Sequence, residues 1–134
     1  MTDRGWLRLL DANLNRLREG VRVAEEICRF VFDDANLARS LKELRHNART
    51  VLYDECLQSR DSDEDVLRPT LSIETDRADI KAVLIANFKR AQESARTLEE
   101  ILKLHNTQEA EKFKSIRYAL YTLEKSVVLG SCKQ

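Results

Sequence analysis

The chain of 134 residues carries 23 basic and 23 acidic side chains, and 43% of its residues are hydrophobic. This mixture is too apolar for a disordered chain and can bury one modest core, so a single domain over residues 1–134 is expected. The zero net charge disfavours a general nucleic-acid binder, so nucleic acid is not expected as a partner. No apolar run approaches the about 20 residues that cross a membrane, so a membrane is not expected as a partner either.

The cysteines indicate a reducing compartment rather than a metal site. Cys28, Cys56 and Cys132 form no CxxC pair and have no His at metal-ligand intervals, so zinc is not expected. Their odd number, without a secretory signal pattern, predicts a cytoplasmic protein.

Helical periodicity dominates the first part of the chain. Apolar residues at three- and four-residue steps predict a helix from about Leu7 to about Asp33. Asp33 or Asp34 then offers an N-cap for a second helix, which should fade near Ser59. The predicted inner faces carry Leu10, Leu14, Leu17, Val21, Ala24, Cys28 and Val31 on the first helix, and Leu37, Leu41, Leu44, Ala48, Val51 and Leu52 on the second.

Residues 59–77 break this periodicity and contain the single Pro of the chain. Structureless loops of this length inside a compact domain are usually functional or disordered. A third helix should begin at Thr75 or Asp76, with Asp79 following in its first turn. A fourth helix should follow a short turn near residue 105 and end at Gly130. The predicted organisation is hairpin one at about 7–58, a loop at 59–77 and hairpin two at about 78–129.

An internal repeat relates the two predicted hairpins. Residues 13–30 (NLNRLREGVRVAEEICRF) align without a gap with residues 87–104 (NFKRAQESARTLEEILKL), and seven of the 18 pairs are identical. LKELRH at 41–46 also resembles FKSIRY at 113–118. The repeat predicts an all-α fold: an antiparallel helical bundle of two repeated helical hairpins with pseudo-twofold symmetry.

The repeat also marks a candidate ligand cleft. At 100° per residue, Asn13 falls within the apolar stripe of the first helix and Arg16 lies at its edge; Asn87 and Arg90 repeat this arrangement. A polar side chain on an inner face needs partners, and Arg suits bidentate recognition of phosphate. The simpler alternative is that each Asn bonds to the protein itself and each Arg pairs with Glu. Most of the neighbouring acidic side chains, including Glu25, are expected on the outer side, and Arg22 has the spacing of an exposed ion pair with Glu26.

Two further segments carry candidate residues. The acidic run RDSDED at 60–65, close to Thr70, suits Mg²⁺ and phosphate, although it equally suits a solvated loop. Arg45 and His46 lie on the second helix, where a lone His is more often structural than catalytic. With no glycine-rich phosphate loop in the sequence, phosphate would have to be held by arginine side chains and helix N-termini.

Five ordered motifs carry a resemblance to a known family. The runs DANLNRLREGVRVAEEICRFVFDD, LRH, RDxxxDV, ANFKRAQESARTLEE and FKSIRYALYTLEK resemble the monofunctional hydroxymethylpyrimidine phosphate kinases of thiamine biosynthesis, a small helical domain found alone or fused to thiamine-phosphate synthase. One departure is Leu67, which stands where the family motif leads us to expect Gly.

The resemblance implies transfer of the γ-phosphoryl group of ATP, with Mg²⁺, to 4-amino-5-hydroxymethyl-2-methylpyrimidine phosphate, and rejection of the unphosphorylated alcohol. An arginine-lined cleft fits a ligand that carries a phosphate anchor. The candidate site residues are Arg16, Arg90, Glu19 and Glu93 as catalytic groups; Asn13, Asn87, Arg22, Arg96, Arg45, His46, Arg60 and Thr70 for the substrate and its phosphate; and Asp61 and Asp65 for the metal.

Two other functions fit the same sequence. One is an all-α nucleotide pyrophosphohydrolase, which would hold Mg²⁺ with paired acidic residues on its helices. The other is a non-catalytic helical module that binds thiamine-phosphate synthase. The sequence leaves open whether the chain forms a homodimer.

Overall fold

The computed structural model describes residues 4–70 and 76–131, and no strand occurs among them, which confirms the all-α prediction. Five α-helices follow one another along the chain: α1 (Arg4–Glu26), α2 (Ala35–Asn47), α3 (Tyr53–Ser59), α4 (Ile80–Leu102) and α5 (Thr107–Leu129). A π-helical turn (Ile27–Val31) prolongs α1, and a 3-10 turn (Ser62–Glu64) follows α3.

Short polar side chains cap three of the helices where the sequence predicts breaks. Asp34, Asp79 and Asn106 each accept a hydrogen bond from the backbone N–H three residues later, at 3.0, 2.8 and 3.0 Å. These bonds satisfy backbone donors that have no partner within the helix. The predicted cap at Asp34 is thereby confirmed. The start predicted at Asp76 is wrong, since Asp79 caps α4, and Thr75 lies outside the described residues.

The prediction of one continuous second helix is wrong. The structure has two helices there, α2 and α3, with a break between them. The carboxylate of Glu109 on α5 accepts hydrogen bonds from Thr50 Oγ1 at 3.1 Å and from the Val51 N–H at 3.2 Å. Thr50 Oγ1 also accepts from the Leu52 N–H at 3.2 Å. Side-chain partners of this kind offer the backbone an alternative to helical hydrogen bonds, so the chain turns at this point.

The core forms between the two long central helices and their neighbours. α4 packs between α1 and α5, while α2 and α3 lie against α1. Gly20 lets α1 approach α4 closely, since a Cβ there would stand 2.9 Å from the carbonyl oxygen of Asn87. Trp6 stacks on His105 with ring centroids 3.9 Å apart and so joins the start of α1 to the α4–α5 turn. The largest fully buried side chains are Phe88, Phe113, Leu10, Leu17, Leu41, Leu84, Leu98, Leu102 and Leu120.

Within the described part of the chain, none of the helices combines the length and the apolar character that a membrane span requires.

Candidate phosphate-binding site

A groove between α1 and α4 brings together predicted site residues from both repeats. Asn13 and Arg16 line it from α1, and Arg90 and Glu93 line it from α4. The groove has a volume of about 450 Å³, and Ser94 and Thr97 complete its polar lining. We call this surface the α1–α4 groove.

The groove carries two guanidinium groups available to an anion. Arg16 and Arg90 are both exposed, and neither makes an ion pair with a carboxylate among residues 4–70 and 76–131. The neighbouring arginines differ, since Arg22 pairs with Glu26 at 2.7 Å and Arg96 pairs with Glu100 at 3.3 Å. Two uncompensated guanidiniums on facing helices can hold a phosphate through charge-assisted hydrogen bonds.

The two repeated asparagines bond in the same way to their own helices. Asn13 Nδ2 donates to the carbonyl oxygen of Leu9, and Asn87 Nδ2 donates to that of Val83, both at 2.9 Å. Each amide therefore has a fixed position one helical turn from its partner. Asn13 also lines the α1–α4 groove, where its remaining amide N–H and its side-chain oxygen can meet a ligand; Asn87 is half-buried and is not part of that lining.

The loop after α3 forms one wall of a second depression, which is about 580 Å³ in volume and adjoins the α1–α4 groove at Asn13 and Arg16. Arg60 fastens this loop to α1 with two bonds of 2.8 Å to the carboxylate of Asp11. Asp61 is held by an ion pair of 2.8 Å with Arg4. The loop thus lies beside the candidate site, whereas Thr70 is exposed and is not part of the lining.

The acidic residues of this loop do not gather into a metal site. Nowhere in the described ranges do three or more His, Cys, Asp or Glu side chains meet in a metal-binding arrangement. Asp61 is engaged with Arg4, and Asp65 accepts a hydrogen bond from the Leu67 N–H at 3.0 Å. Leu67 does not adopt a positive φ, so the turn forms without the glycine expected there.

Arg45 lies away from the groove, in a buried ion pair. Its Nε and Nη2 donate to the two carboxylate oxygens of Glu25 at 2.8 and 3.4 Å. The outward position predicted for Glu25 is wrong, since only 3% of this residue is exposed. Glu19 is exposed and does not line the α1–α4 groove; it borders a shallow depression together with Arg22 and Arg45. His46 is exposed on α2.

Several residues that line these depressions were missed by the sequence reasoning. Arg8 and Asn15 line the depression beside the loop, and Asp11 positions Arg60. The repeat gives no signal for them, because position 11 precedes the aligned segment and position 15 corresponds to Lys89.

The fold and these depressions define a small all-helical domain whose polar grooves are lined by arginine and asparagine. A sequence profile of the ThiD2 family matches residues 8–126, and the chain belongs to this family.

Three relatives illustrate the similarity, and each is named thiamine-phosphate synthase. The chain is 43% identical to the protein of Thermosynechococcus vestitus over 127 residues, which is 92% of this chain and 35% of the relative. It is 43% identical to the protein of Nostoc punctiforme over 122 residues, 90% of this chain and 35% of the relative, and 42% identical to that of Synechocystis sp. over 125 residues, 92% and 36%. The chain thus spans about a third of the length of these relatives, and no solved structure matches it.

These names correct one expectation. The resemblance assigned a kinase activity to the chain, whereas the relatives are named as a synthase and not as a kinase. The assignment of the chain as a hydroxymethylpyrimidine phosphate kinase is therefore withdrawn.

Proposed function

We propose that the chain serves thiamine biosynthesis as a helical module that binds a phosphorylated pyrimidine in the α1–α4 groove. The observation that carries this proposal is the meeting of Arg16 and Arg90, which occupy aligned positions of the repeat, in one groove without carboxylate partners among the described residues. A phosphate monoester brings about two negative charges to these guanidiniums, and charge-assisted hydrogen bonds are roughly twice as strong as neutral ones.

The side chains around the arginines suit orientation of such a ligand. Asn13 and Thr97 supply amide and hydroxyl groups, and Glu93 supplies an acceptor for a ring amine. Arginine provides most of the attraction, while the Asn13 amide, the Thr97 hydroxyl and the Glu93 carboxylate fix the direction of the ring. In this arrangement the free alcohol, which has no phosphate, binds weakly.

We also propose that the module works next to thiamine-phosphate synthase, with that enzyme as its partner. Relatives of this name contain a stretch similar to the present chain within about a third of their length. A groove that holds a phosphorylated pyrimidine close to such an enzyme would raise the local concentration of the ligand.

ATP with Mg²⁺ is a second proposed occupant, for binding alone. Its phosphates match the same pair of arginines, and Mg²⁺ is commonly held by one or two carboxylates together with substrate phosphates, so it does not need a three-residue protein site. Asp65 is exposed on the wall of the adjoining depression and is the available loop carboxylate.

We further propose that the chain forms a homodimer, which light scattering would test.

Repeated contacts support the proposed pseudo-twofold arrangement of the two hairpins. The Asn13–Leu9 and Asn87–Val83 bonds, each 2.9 Å long, recur at an offset of 74 residues. The pair between Arg45 and Glu25 also recurs between Arg117 and Glu99. Superposition of residues 7–58 on 81–129 in an experimental structure tests whether the two whole hairpins are related by a pseudo-twofold rotation.

Calorimetric titration tests the proposed ligand directly. The pyrimidine monophosphate should bind to the wild-type chain at least about tenfold more tightly than the free alcohol, and Arg16→Gln and Arg90→Gln should each weaken it by about tenfold or more. Arg39→Gln is the matched control, since Arg39 is exposed on α2 and has no ion pair with a described carboxylate. Equal affinity for the monophosphate and the alcohol, or unchanged binding in both groove variants, would refute the proposal.

A further inference from the structure

A further pocket lies across α1 from the α1–α4 groove and shares Asp11, Asn15 and Arg60 with the depression beside the loop. It is enclosed by α1, the junction between α2 and α3, and α3 itself, and its volume is about 320 Å³. We call it the α1–α3 pocket. Its lining comprises Asp11, Leu14, Asn15, Arg18, Ala48, Arg49, Thr50, Tyr53, Cys56 and Arg60.

This pocket exists because the two repeats differ at their contact positions. Leu14 and Ala48 line it, whereas the aligned positions in the second hairpin hold the larger Phe88 and Leu120. Both of these larger side chains are buried, with 1% and 0% of the residue exposed. In addition, α2 ends at Asn47 with Ala48 as its C-cap, while α5 continues through position 120. The first hairpin therefore leaves open a space that larger side chains occupy in the second.

The two repeats also differ in charge at this pocket, because the first repeat carries an arginine where the second carries a glutamine. Arg18 aligns with Gln92, whose amide donates to Glu124 at 2.8 Å and is thus satisfied within the protein. Arg18 and Arg49 are exposed and have no ion pair with any carboxylate of residues 4–70 and 76–131. Asp11 is neutralised by Arg60 in its bidentate pair. Two guanidinium charges consequently remain at this pocket.

Contacts from α5 hold the wall of the pocket in place. Lys112 donates to the carbonyl oxygen of Arg49 at 2.6 Å, and Glu109 binds Thr50 and Val51 as described above. On the inner lining, burial and the nearby Asp11 carboxylate raise the pKa of the Cys56 thiol to about 11, so it forms less of the reactive thiolate than an ordinary cysteine does. A preformed pocket of this kind loses little conformational entropy when a ligand enters.

We propose that the α1–α3 pocket is a second ligand site, which takes an aromatic phosphate monoester. The aromatic ring lies against Leu14, Ala48 and Tyr53. The phosphate is held by Arg18 and Arg49. The volume lies at the lower end of the range for small-molecule sites, which suits one ring and one phosphate rather than a dinucleotide. The inference does not depend on the ligand proposed for the α1–α4 groove.

Phenyl phosphate is the probe, with inorganic phosphate and phenol as its two halves. Titration followed by amide NMR should move signals of residues 48–56, and phenyl phosphate should bind at least about tenfold more tightly than either half, because ring and phosphate are bound together. Arg18→Gln, which introduces the residue found at the aligned position 92, and Arg49→Gln should each weaken binding about tenfold. The charge-matched control Arg39→Gln should keep the wild-type affinity.

A pocket-filling variant gives an independent test. Ala48→Leu introduces the residue found at the aligned position 120 and should abolish binding of phenyl phosphate while the thermal transition stays cooperative. If this variant does not fold, the two arginine variants, which alter exposed side chains, decide the matter alone. Three results would each overturn the second site. The first is absence of phenyl phosphate binding, and the second is unchanged affinity in Arg18→Gln and Arg49→Gln. The third is loss of binding in Arg16→Gln instead. The first two results leave the α1–α4 groove unaffected, and the third would place phenyl phosphate in that groove, so the two proposals fail separately.

Discussion

Arg45 binds Glu25 through both oxygens of the carboxylate, and the two side chains are only 12% and 4% exposed. The adjacent residue on α1, Glu26, forms a more exposed pair with Arg22, in which the side chains are 35% and 54% exposed. Two neighbouring glutamates thus bind arginine in very different surroundings. The same contrast recurs in the second hairpin, where Glu99 binds Arg117 in the interior and Glu100 binds Arg96 at the surface.

Removal of Arg45 should destabilise the protein far more than removal of Arg22. Arg45→Ala leaves the buried Glu25 carboxylate without its counter-charge and should cost about 3 kcal/mol of unfolding free energy. Arg22→Ala, the matched control on the exposed pair, should cost about 0.5 kcal/mol or less. Urea denaturation of both variants measures the difference. Equal losses would show that the buried position of Glu25 does not matter for stability.

The repeat could be predicted from the sequence because it rests on identities at fixed spacing, but the burial of Glu25 and Glu99 could not. Helical phase alone places Glu25 towards the outer side of α1, and glutamate is rarely buried without a partner. Here Arg45 arrives from α2 and covers it. Such a contact depends on the packing of a second helix, which periodicity within the first helix does not specify.

The interruption between α2 and α3 was missed for a related reason. Apolar residues keep helical spacing through Leu52, and no Gly or Pro marks a break there. The cause is a carboxylate 58 residues further along the chain, where Glu109 binds Val51. The α1–α3 pocket depends on this break and was missed with it. In contrast, the meeting of Arg16 and Arg90 followed from the repeat, because aligned positions on two packed helices face a common groove.

Gly20 should not tolerate alanine. Alanine favours the helix by about 1 kcal/mol over glycine, but the added Cβ would stand 2.9 Å from the backbone oxygen of Asn87 and would push α4 away from α1. We expect Gly20→Ala to lower the unfolding free energy by about 1–2 kcal/mol and to weaken ligand binding in the α1–α4 groove. Gly5→Ala, at an exposed position in the first turn of α1, is the control: it should leave ligand binding unchanged and should raise the unfolding free energy by about 1 kcal/mol or less. A stabilised Gly20→Ala protein would contradict this close approach.

Arg60 should keep the 60–66 loop against α1. Its loss in Arg60→Ala removes both 2.8 Å bonds to Asp11 and leaves that buried carboxylate unpaired. Hydrogen exchange at the amides of Glu64, Asp65 and Arg68, which are bonded within the loop, should become faster by about tenfold or more, corresponding to about 1.4 kcal/mol of local stability.

The control for this loop prediction is Asp63→Ala, which breaks the exposed 3.4 Å pair between Asp63 and Arg68. Because the side chains of that pair are 86% and 66% exposed, exchange should stay near the wild-type rate. Equal exchange in wild type and Arg60→Ala would mean that other contacts hold the loop.

The Cys56 thiol should make the protein less stable at alkaline pH. Burial, followed by the Asp11 and Glu55 carboxylates, raises its pKa from 9.0 to about 11 in the folded chain. Between these two values the unfolded chain has lost the proton while the folded chain keeps it, so the unfolded state binds fewer protons and stability falls as pH rises. The contribution is fully present below about pH 9 and is lost towards pH 11. We expect the difference in unfolding free energy between wild type and Cys56→Ala to be constant from pH 6 to 8 and to shrink by about 1–2 kcal/mol between pH 9 and 11. Contributions from groups other than Cys56 are common to both proteins and cancel in this difference. Two parallel stability profiles across that range would show that Cys56 ionises in the folded chain as readily as in the unfolded chain.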